Sequence, residues 1–450
     1  MHITVIGTGF VGLVAGACLA DFGMQVTCAD TDESKIRQLQ AAKIPIYEPG
    51  LEELVRRGLS RKRLCFSTDL KTSIQGALVI FVAVGTESQK NGRANLTHIS
   101  EVARAIGRYM NDYKVIVIKS TVPPGTAEQM SAWVRRAQIR SQDFDVISNP
   151  EFLREGAAVE DFMRPNRVLL GGDNPRALAI VKDIYRPLYL IQTPFIETDN
   201  RTAELIKYAT NSFLAVKISY INEMARLCDR LGADVHVIAK ALGLDGRIGA
   251  KFLHPGPGFG GSCLPKDTRA FLHTFEDFGL ENHIVRAAVE VNQGQAAEVV
   301  RKLTRPLGSL RGRHICLLGL SYKPNTNDVR ESPALSLCEL FLKGGAHVRA
   351  FDPQAIGSAK AALRNQRLSF AKDAYSAARG ADAVVLATEW NEFRNLDLSK
   401  LKALMSGDVL LDARNIYDPV TATRLGFCYL GIGRSKIASK SKYTSASSKL

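Results

Sequence analysis

The chain has 450 residues, 46% of them hydrophobic and 23% charged, a balance that suits a globular protein and excludes wholesale disorder. Its 59 Lys and Arg outnumber 45 Asp and Glu, giving a net charge of +14 and implying an acidic partner, whether nucleic acid, an anionic surface or an acidic small molecule. No run approaches the ~20 apolar residues that span a bilayer, and the opening MHITVIG reads as a strand, without the basic start and cleavage site of a signal peptide.

Five cations, Arg434, Lys436, Lys440, Lys442 and Lys449, fall in a Ser/Lys-rich end that has no acidic residue, so residues 435–450 are expected to form a basic disordered tail. The remaining excess is spread thinly, without the basic blocks and interleaved aromatics of a nucleic-acid face, so no nucleic-acid partner is expected. Eight scattered cysteines without a CxxC pair fit a reducing, cytoplasmic setting. Neither they nor the eight histidines are spaced as a zinc site, and no metal is expected.

Over residues 1–195, Val/Ile-rich runs at Ile3–Ile6, Gln25–Ala29, Leu78–Val84, Val115–Lys119, Val146–Ser148 and Arg167–Leu170 alternate with helical patterns, which predicts βαβ units feeding a parallel sheet. GTGFVG at 7–12 lies between the first strand and an apolar helix, Val11–Phe22. In that setting Gly7 permits the tight turn, Gly9 lets backbone approach a pyrophosphate, and Gly12 lets helix pack on strand. Asp30, at the end of the second strand, suits the ribose hydroxyls of NAD and repels the 2′-phosphate of NADP. Gly85-Thr86 and Ser120-Thr121 follow later strands and would line the same crevice, although simple helix capping explains them equally well. The rigid Pro123-Pro124-Gly125 turn follows. Asn149–Glu155 (NPEFLRE) places Glu151 and Glu155 four residues apart, either as a candidate general base or as ordinary surface charge.

Residues 202–231 contain no Gly or Pro and predict one long helix with Leu205, Ala209, Phe213, Val216 and Tyr220 as its apolar stripe. Glu204, Lys207, Tyr208 and Asn211 form a polar stripe. Such a stripe is ordinarily a solvated face; an amide and an ammonium one turn apart also suit a developing oxyanion. GPGFGGSCLPKD at 256–267 predicts a loop with Cys263 in it, and Lys266 is placed to favour its thiolate. The other seven cysteines are expected to pack in the core. A second α/β region follows, with strands at Arg313–Gly319, Ala346–Phe351, Ala383–Thr388 and Val409–Asp412 and a helix at Ser332–Lys343. The expected class is α/β: two Rossmann-like doubly wound domains, 1–195 and 301–434, joined by a long central helix and helical segment over 196–300.

GTGFVG, IPIYEPGLEEL (44–54), STVPPGT (120–126), NPEFLREGAAVEDF (149–162), AELIKYATN (203–211), GFGGSCLPKD (258–267), GLSYKPNTNDVRESPA (319–334) and DARNIYD (412–418) together resemble the UDP-glucose/GDP-mannose dehydrogenase family. The resemblance implies an NAD-binding first domain, a central dimerisation segment with the cysteine loop, and a UDP-sugar-binding third domain. It implies NAD-dependent, four-electron oxidation of UDP-glucose at C6 to UDP-glucuronate through a cysteine thiohemiacetal and thioester.

By the same resemblance Cys263 is the nucleophile, Lys207 and Asn211 hold the oxyanion, and Asp267 assists the water and the lysine. Glu155 moves the proton of hydrolysis and Thr121 holds the water. Gly7, Gly9, Phe10, Val11, Gly12, Asp30, Lys35, Thr86, Thr121, Glu155, Lys266 and Arg330 match cofactor positions. Glu151, Phe152, Leu153, Lys207, Asn211, Phe252, Leu253, His254, Pro255, Gly256, Gly260, Lys323 and Arg414 match the sugar-nucleotide site, as does Arg247, which some members extend across a subunit boundary. A homodimer or higher homo-oligomer is implied. Leu264 after the cysteine matches the GDP-mannose branch, whereas IYEPGL and NPEFLREGAAVEDF favour UDP-glucose. GDP-mannose or another UDP-sugar is the alternative substrate, and an inactive NAD-binding scaffold is the alternative of a different class.

Overall fold

Parallel strands covered on both faces need near-continuous apolar runs, and the chain has them in two sets. The computed structural model describes residues 1–434; the expected tail at 435–450 lies outside the described residues. The strands are β1 (His2–Ile6), β2 (Gln25–Ala29), β3 (Leu64–Ser67), β4 (Val79–Val82), β5 (Lys114–Ile118), β6 (Phe144–Ser148), β7 (Val168–Gly171), β8 (Phe195–Thr198), β9 (His314–Leu318), β10 (His347–Phe351), β11 (Leu368–Phe370), β12 (Ala383–Leu386), β13 (Val409–Asp412) and β14 (Cys428–Gly431). The described residues divide into two compact units, 1–210 with 269–281, and 211–268 with 282 onward.

The first unit holds an eight-stranded sheet in the order β3-β2-β1-β4-β5-β6-β7-β8. All pairs are parallel except β6 with β7, which meet antiparallel at Ser148 and Gly171. β4 and β5 are buried at every residue. The helix Phe10–Asp21 buries Gly12 through Ala20, so it is apolar all round because it is covered all round. The second unit holds a six-stranded parallel sheet, β11-β10-β9-β12-β13-β14. In both sheets the order reverses beside the first strand, the arrangement of a doubly wound nucleotide-binding fold, and ligands bind such sheets at the carboxyl ends of the strands. The two Rossmann-like domains expected from the sequence are present.

Three local expectations are corrected. First, the long helix runs Asn200–Leu231, but its faces are reversed. The polar stripe is buried, with Glu204 2%, Lys207 3% and Asn211 6% exposed, whereas Leu205, Phe213 and Tyr220 are 41%, 64% and 47% exposed. Second, the Cys263 stretch is loop only as far as the cysteine. Leu264 opens the helix Leu264–Asp277, and Pro265 is tolerated because first-turn amides have no intrahelical partner. Third, Cys65 is exposed and Cys428 half-buried, because β3 and β14 are sheet edges; Cys18, Cys28, Cys316 and Cys338 lie in the cores as expected.

Candidate active site

In the first unit, β1 ends in a turn whose glycines are fixed by contact. A Cβ on Gly12 would lie 1.9 Å from the Gly7 carbonyl oxygen, so the helix Phe10–Asp21 approaches the turn more closely than any side chain permits. Gly9 is different: no atom lies within 4 Å of the position its Cβ would take, leaving backbone open for a ligand. The helix N-terminus here starts at Phe10, with Val11 in its first turn, and favours phosphate.

Asp30, the residue after β2, orders this site. Its Oδ2 accepts from the Thr8 amide at 2.8 Å, the Thr8 hydroxyl at 2.7 Å and Lys35 Nζ at 3.0 Å. Its Oδ1 accepts from the Asp32 amide at 3.1 Å, which leaves acceptor capacity for a ribose hydroxyl. Partial burial pushes the Asp30 carboxyl up, but the donors from Thr8, Asp32 and Lys35 outweigh it and hold the carboxyl at about 2. A folded-state value below the unfolded one means that this group's stabilisation is present above about pH 4 and is lost as pH falls toward 2. The open Gly9 backbone and the part-filled Asp30 carboxylate fit a dinucleotide with a free 2′-hydroxyl. Asp30→Ala is therefore expected to weaken NAD binding about 10- to 100-fold, the range for a hydrogen bond to a charged group. A fluorescence titration checks this, and unchanged NAD affinity would remove Asp30 from the site.

Around the end of β5 the chain is tied by side chains. Thr86 Oγ1 donates to the Thr121 carbonyl at 2.7 Å, and Ser120 Oγ donates to the Val84 carbonyl at 2.7 Å. Glu204, from the long helix, accepts from the Gly125 amide at 2.7 Å and the Ala127 amide at 2.9 Å, at the start of the helix Thr126–Ala137. Burial pushes its carboxyl up to about 7, against those amides, which favour the charged form. Glu48 does the same for the helix Ala158–Met163, accepting from the Gly156 amide at 2.6 Å and the Ala158 amide at 2.8 Å, and so fixes the turn that bears buried Glu155.

Glu151 is 5% exposed, and its Oε1 accepts from Lys207 Nζ at 3.0 Å. Phe152 lies beneath two cations: Lys207 Nζ is 5.3 Å and Arg167 Cζ 3.7 Å from its ring centroid. Leu153 donates its amide back to Glu151. The structure thus brings Glu151, Phe152, Leu153 and Lys207 together. Sequence reasoning missed Glu48, Arg167 and Lys119 as contributors, and it placed Glu204 in the polar stripe without its partners at Gly125 and Ala127. A usable signal existed for Lys119, a cation closing an otherwise apolar buried run.

In the second unit, Asn211 Nδ2 donates to Asp267 Oδ2 at 2.6 Å, and Lys266 Nζ donates to Asp267 Oδ1 at 2.6 Å. Asp267 is 1% exposed. Its amide donates to the Cys263 carbonyl at 2.9 Å, which makes Cys263 the cap of the helix Leu264–Asp277. Lys266, the ammonium expected to act on the thiol, donates to Asp267, and Cys263 also stands at the N-terminus of the helix Leu264–Asp277, the positive end of its dipole. The half-buried Cys263 Sγ lies 3.6 Å from Ser262 Oγ.

The loop before the cysteine is held by amides. The Gly256 amide donates to Asn222 Oδ1 at 2.9 Å, and Asn292 exchanges two hydrogen bonds with the Phe259 backbone at 2.7 and 3.0 Å. A Cβ on Gly260 would meet the Glu331 carbonyl oxygen at 2.2 Å, so only glycine fits. Phe252 has φ +66°, a conformation that costs an aromatic residue on the order of 1–3 kcal/mol and is concentrated at functional sites.

Arg414 comes to this loop: its Nη1 is 3.2 Å from where a Gly256 Cβ would stand, and its Nη2 donates to the Tyr322 carbonyl at 3.2 Å. Lys323 Nζ lies 5.4 Å from the Tyr322 ring centroid. Leu253 and Pro255 are buried and His254 is exposed. Arg330 pairs with Asp328 at 2.6 Å, and Arg247, 90% exposed at its side chain, pairs with Asp245 at 2.6 Å.

Models of three domains of one family match the chain. The NAD-binding domain of the UDP-glucose/GDP-mannose dehydrogenase family matches residues 1–189, the central domain 201–294 and the UDP-binding domain 316–419. The chain belongs to this family. It is an NAD-dependent dehydrogenase, and NAD is the cofactor that the Gly9 backbone and Asp30 fit. Among its relatives, the UDP-glucose 6-dehydrogenase of Rhizobium meliloti is 47% identical over 96% of this chain and 100% of its own. The UDP-glucose 6-dehydrogenase TuaD of Bacillus subtilis is 45% identical over 97% and 94%. A solved UDP-glucose dehydrogenase from Pyrobaculum islandicum superposes with a TM-score of 0.89 at 39% identity, covering 96% of this chain and 97% of that one. No helix among the described residues of this family member is long and apolar enough to cross a membrane.

Proposed function

We propose that the chain oxidises the C6 alcohol of UDP-glucose to the carboxylate of UDP-glucuronate. The observation that carries this reading is Cys263, capping a helix whose buried Asp267 bonds Asn211, in a chain with an NAD-binding domain. Bound NAD supplies the hydride acceptor for each of the two oxidations. The Cys263 thiolate adds to the aldehyde carbon and forms a C–S bond, which keeps the aldehyde from being lost as its hydrate. Lys207 and Asn211, one turn apart on the long helix, hold the oxygen that becomes anionic. Loss of the second hydride leaves a thioester; water adds to its carbonyl, the C–S bond breaks, and the thiolate is restored. We assign the water to Thr121 and its proton to Glu155, with Asp267 holding Lys266 and Asn211 in place.

The match to a UDP-binding domain over 316–419, and the Arg414, Gly256 and Tyr322 cluster within the second unit, support a uridine nucleotide. This reading assigns NAD to residues 1–195, the cysteine loop and subunit contact to 196–300, and the UDP-sugar to 301–434. With UDP-glucose, GDP-mannose and UDP-N-acetyl sugars compared in one NADH assay, kcat/KM for UDP-glucose is expected to lead by at least about 100-fold. Equal or faster turnover of GDP-mannose would overturn the choice of sugar nucleotide.

We also infer a homo-oligomer in the cytoplasm. Phe213, Tyr220, Leu227 and Leu231 leave an apolar stripe of the long helix 47–67% exposed, and contiguous exposed apolar surface marks an interaction site. All eight cysteines are unpaired, as a reducing compartment requires. A monomer by light scattering would contradict the first inference, and recovery outside the cytoplasmic fraction the second.

A further inference from the structure

Lys119 follows β5 and is 5% exposed, and burial pushes its ammonium down to about 8, with the Lys207 charge adding to that effect and the Glu151 charge opposing it. A cation so placed needs a reason, since removing it from water costs several kcal/mol. Its Nζ donates to Asn149 Oδ1 at 3.0 Å and to the Tyr185 hydroxyl at 3.3 Å, and the Tyr185 hydroxyl itself donates to Asn149 Oδ1 at 2.6 Å. Asn149 Nδ2 donates to the Leu169 carbonyl at 2.8 Å, so every polar atom of that amide is engaged. The rings of Phe162 and Tyr185 take the other sides of the ammonium, their centroids 5.9 and 5.7 Å from Nζ. Asn149 is two residues before Glu151, across Pro150, and Glu151 is the partner of Lys207. A cavity of about 50 Å³ lies among Lys119, Asn149, Glu151, Phe152, Arg167 and Tyr185.

We infer that Lys119 is a positioning residue for the reaction: through Asn149 and Tyr185 it fixes the Asn149-Pro150-Glu151 turn, and as a second buried cation it shares Glu151 with Lys207. The inference rests on the reading of Lys207 as a group that acts on substrate. The charged and titratable groups that face Lys119 are Glu151, Lys207, Asp161, Arg167 and Tyr185, with Cys18 behind Tyr185. Burial acts most strongly against the Lys119 charge, Glu151 favours the ammonium, and Lys207 opposes it. Two cations beside one carboxylate share its charge, so Glu151 is not committed wholly to Lys207, the group read as acting on the substrate oxygen.

The test is Lys119→Met in the full chain, with steady-state kinetics from pH 6 to 10 and a thermal melt. Methionine matches the volume and removes the charge. The expected result is a kcat lower by roughly 10- to 100-fold, the scale of a misplaced catalytic group, with KM for NAD and Tm unchanged. The wild-type kcat profile is expected to bend near pH 8, where Lys119 titrates, and the variant profile to lack that bend. A kcat within about twofold of wild type, a profile of unchanged shape, or a loss of kcat that follows a lowered Tm would each overturn the inference. Tyr185→Phe keeps the ring and removes only the hydroxyl, and covers the case in which Lys119→Met does not fold; it is expected to lower kcat about 3- to 10-fold, one lost hydrogen bond's worth, and an unchanged kcat overturns the inference. If wild type itself leaves UDP-glucose unoxidised, the reading of the reaction fails and the role of Lys119 with it; normal wild-type turnover with an unaffected variant fails the role of Lys119 alone.

Discussion

Cys263→Ser is expected to lower NADH formation from UDP-glucose by at least about 1,000-fold while NAD affinity stays at the wild-type value. Serine matches the geometry but not the acidity: a thiol with an ordinary pKa of about 8.5 is a few per cent thiolate at neutral pH, whereas a hydroxyl is un-ionised. The cap position at the helix Leu264–Asp277 favours an anion on Cys263 and does nothing for a neutral hydroxyl. NAD affinity is spared because the groups that fit the cofactor, the Gly9 backbone and Asp30, keep their geometry when Cys263 is changed. Stopped-flow absorbance gives the rate, and a titration by fluorescence gives the affinity. Turnover within tenfold of wild type would end the assignment of Cys263 as nucleophile.

Lys207→Met carries the second large effect, because it removes two things together. The reaction loses a donor to the developing oxyanion, a loss on the order of 100- to 1,000-fold in kcat. The fold loses the partner of Glu151, which is 5% exposed and bonded to Lys207 at 3.0 Å. A buried carboxylate left unpaired destabilises by about 3–5 kcal/mol; Glu151 keeps the Lys119 charge nearby, so the loss is expected to fall below that range. The two losses separate in the double variant Lys207→Met, Glu151→Gln, which is expected to regain most of the stability and none of the activity. Denaturant melts measure the first and NADH formation the second. If the double variant is as unstable as the single one, Glu151 is not the charge that Lys207 neutralises.

How far the sequence could be read depended on whether a residue's surroundings write themselves into its neighbours. The ten inner strands were legible because a parallel strand covered on both faces is apolar at nearly every position, as Val79–Val82 and Lys114–Ile118 are. The four strands that escaped, Leu64–Ser67, Phe195–Thr198, Leu368–Phe370 and Cys428–Gly431, are the four sheet edges, short and half-covered. The dinucleotide turn was legible because Gly12 is demanded by a contact that is local in sequence, with Gly7.

The long helix was read with its faces reversed for a physical reason. Burial follows hydropathy only where the buried face does no chemistry. Here Glu204, Lys207 and Asn211 are inside because each meets a specific partner, the Gly125 amide, Glu151 and Asp267 respectively. The apolar Phe213 and Tyr220 are left outside. The partners lie 56 to 79 residues away in the chain, beyond the reach of any periodicity. Glu48 was opaque for the same reason, since it caps amides 108 and 110 residues away.

The measurement that bears most directly on the cysteine-mediated double oxidation is the amount of NADH formed per UDP-glucose consumed, with the product identified by mass. Two NADH and UDP-glucuronate are expected, with no free aldehyde trapped by a hydrazine reagent. One NADH, with aldehyde accumulating in the trap, would contradict a thiohemiacetal held on Cys263.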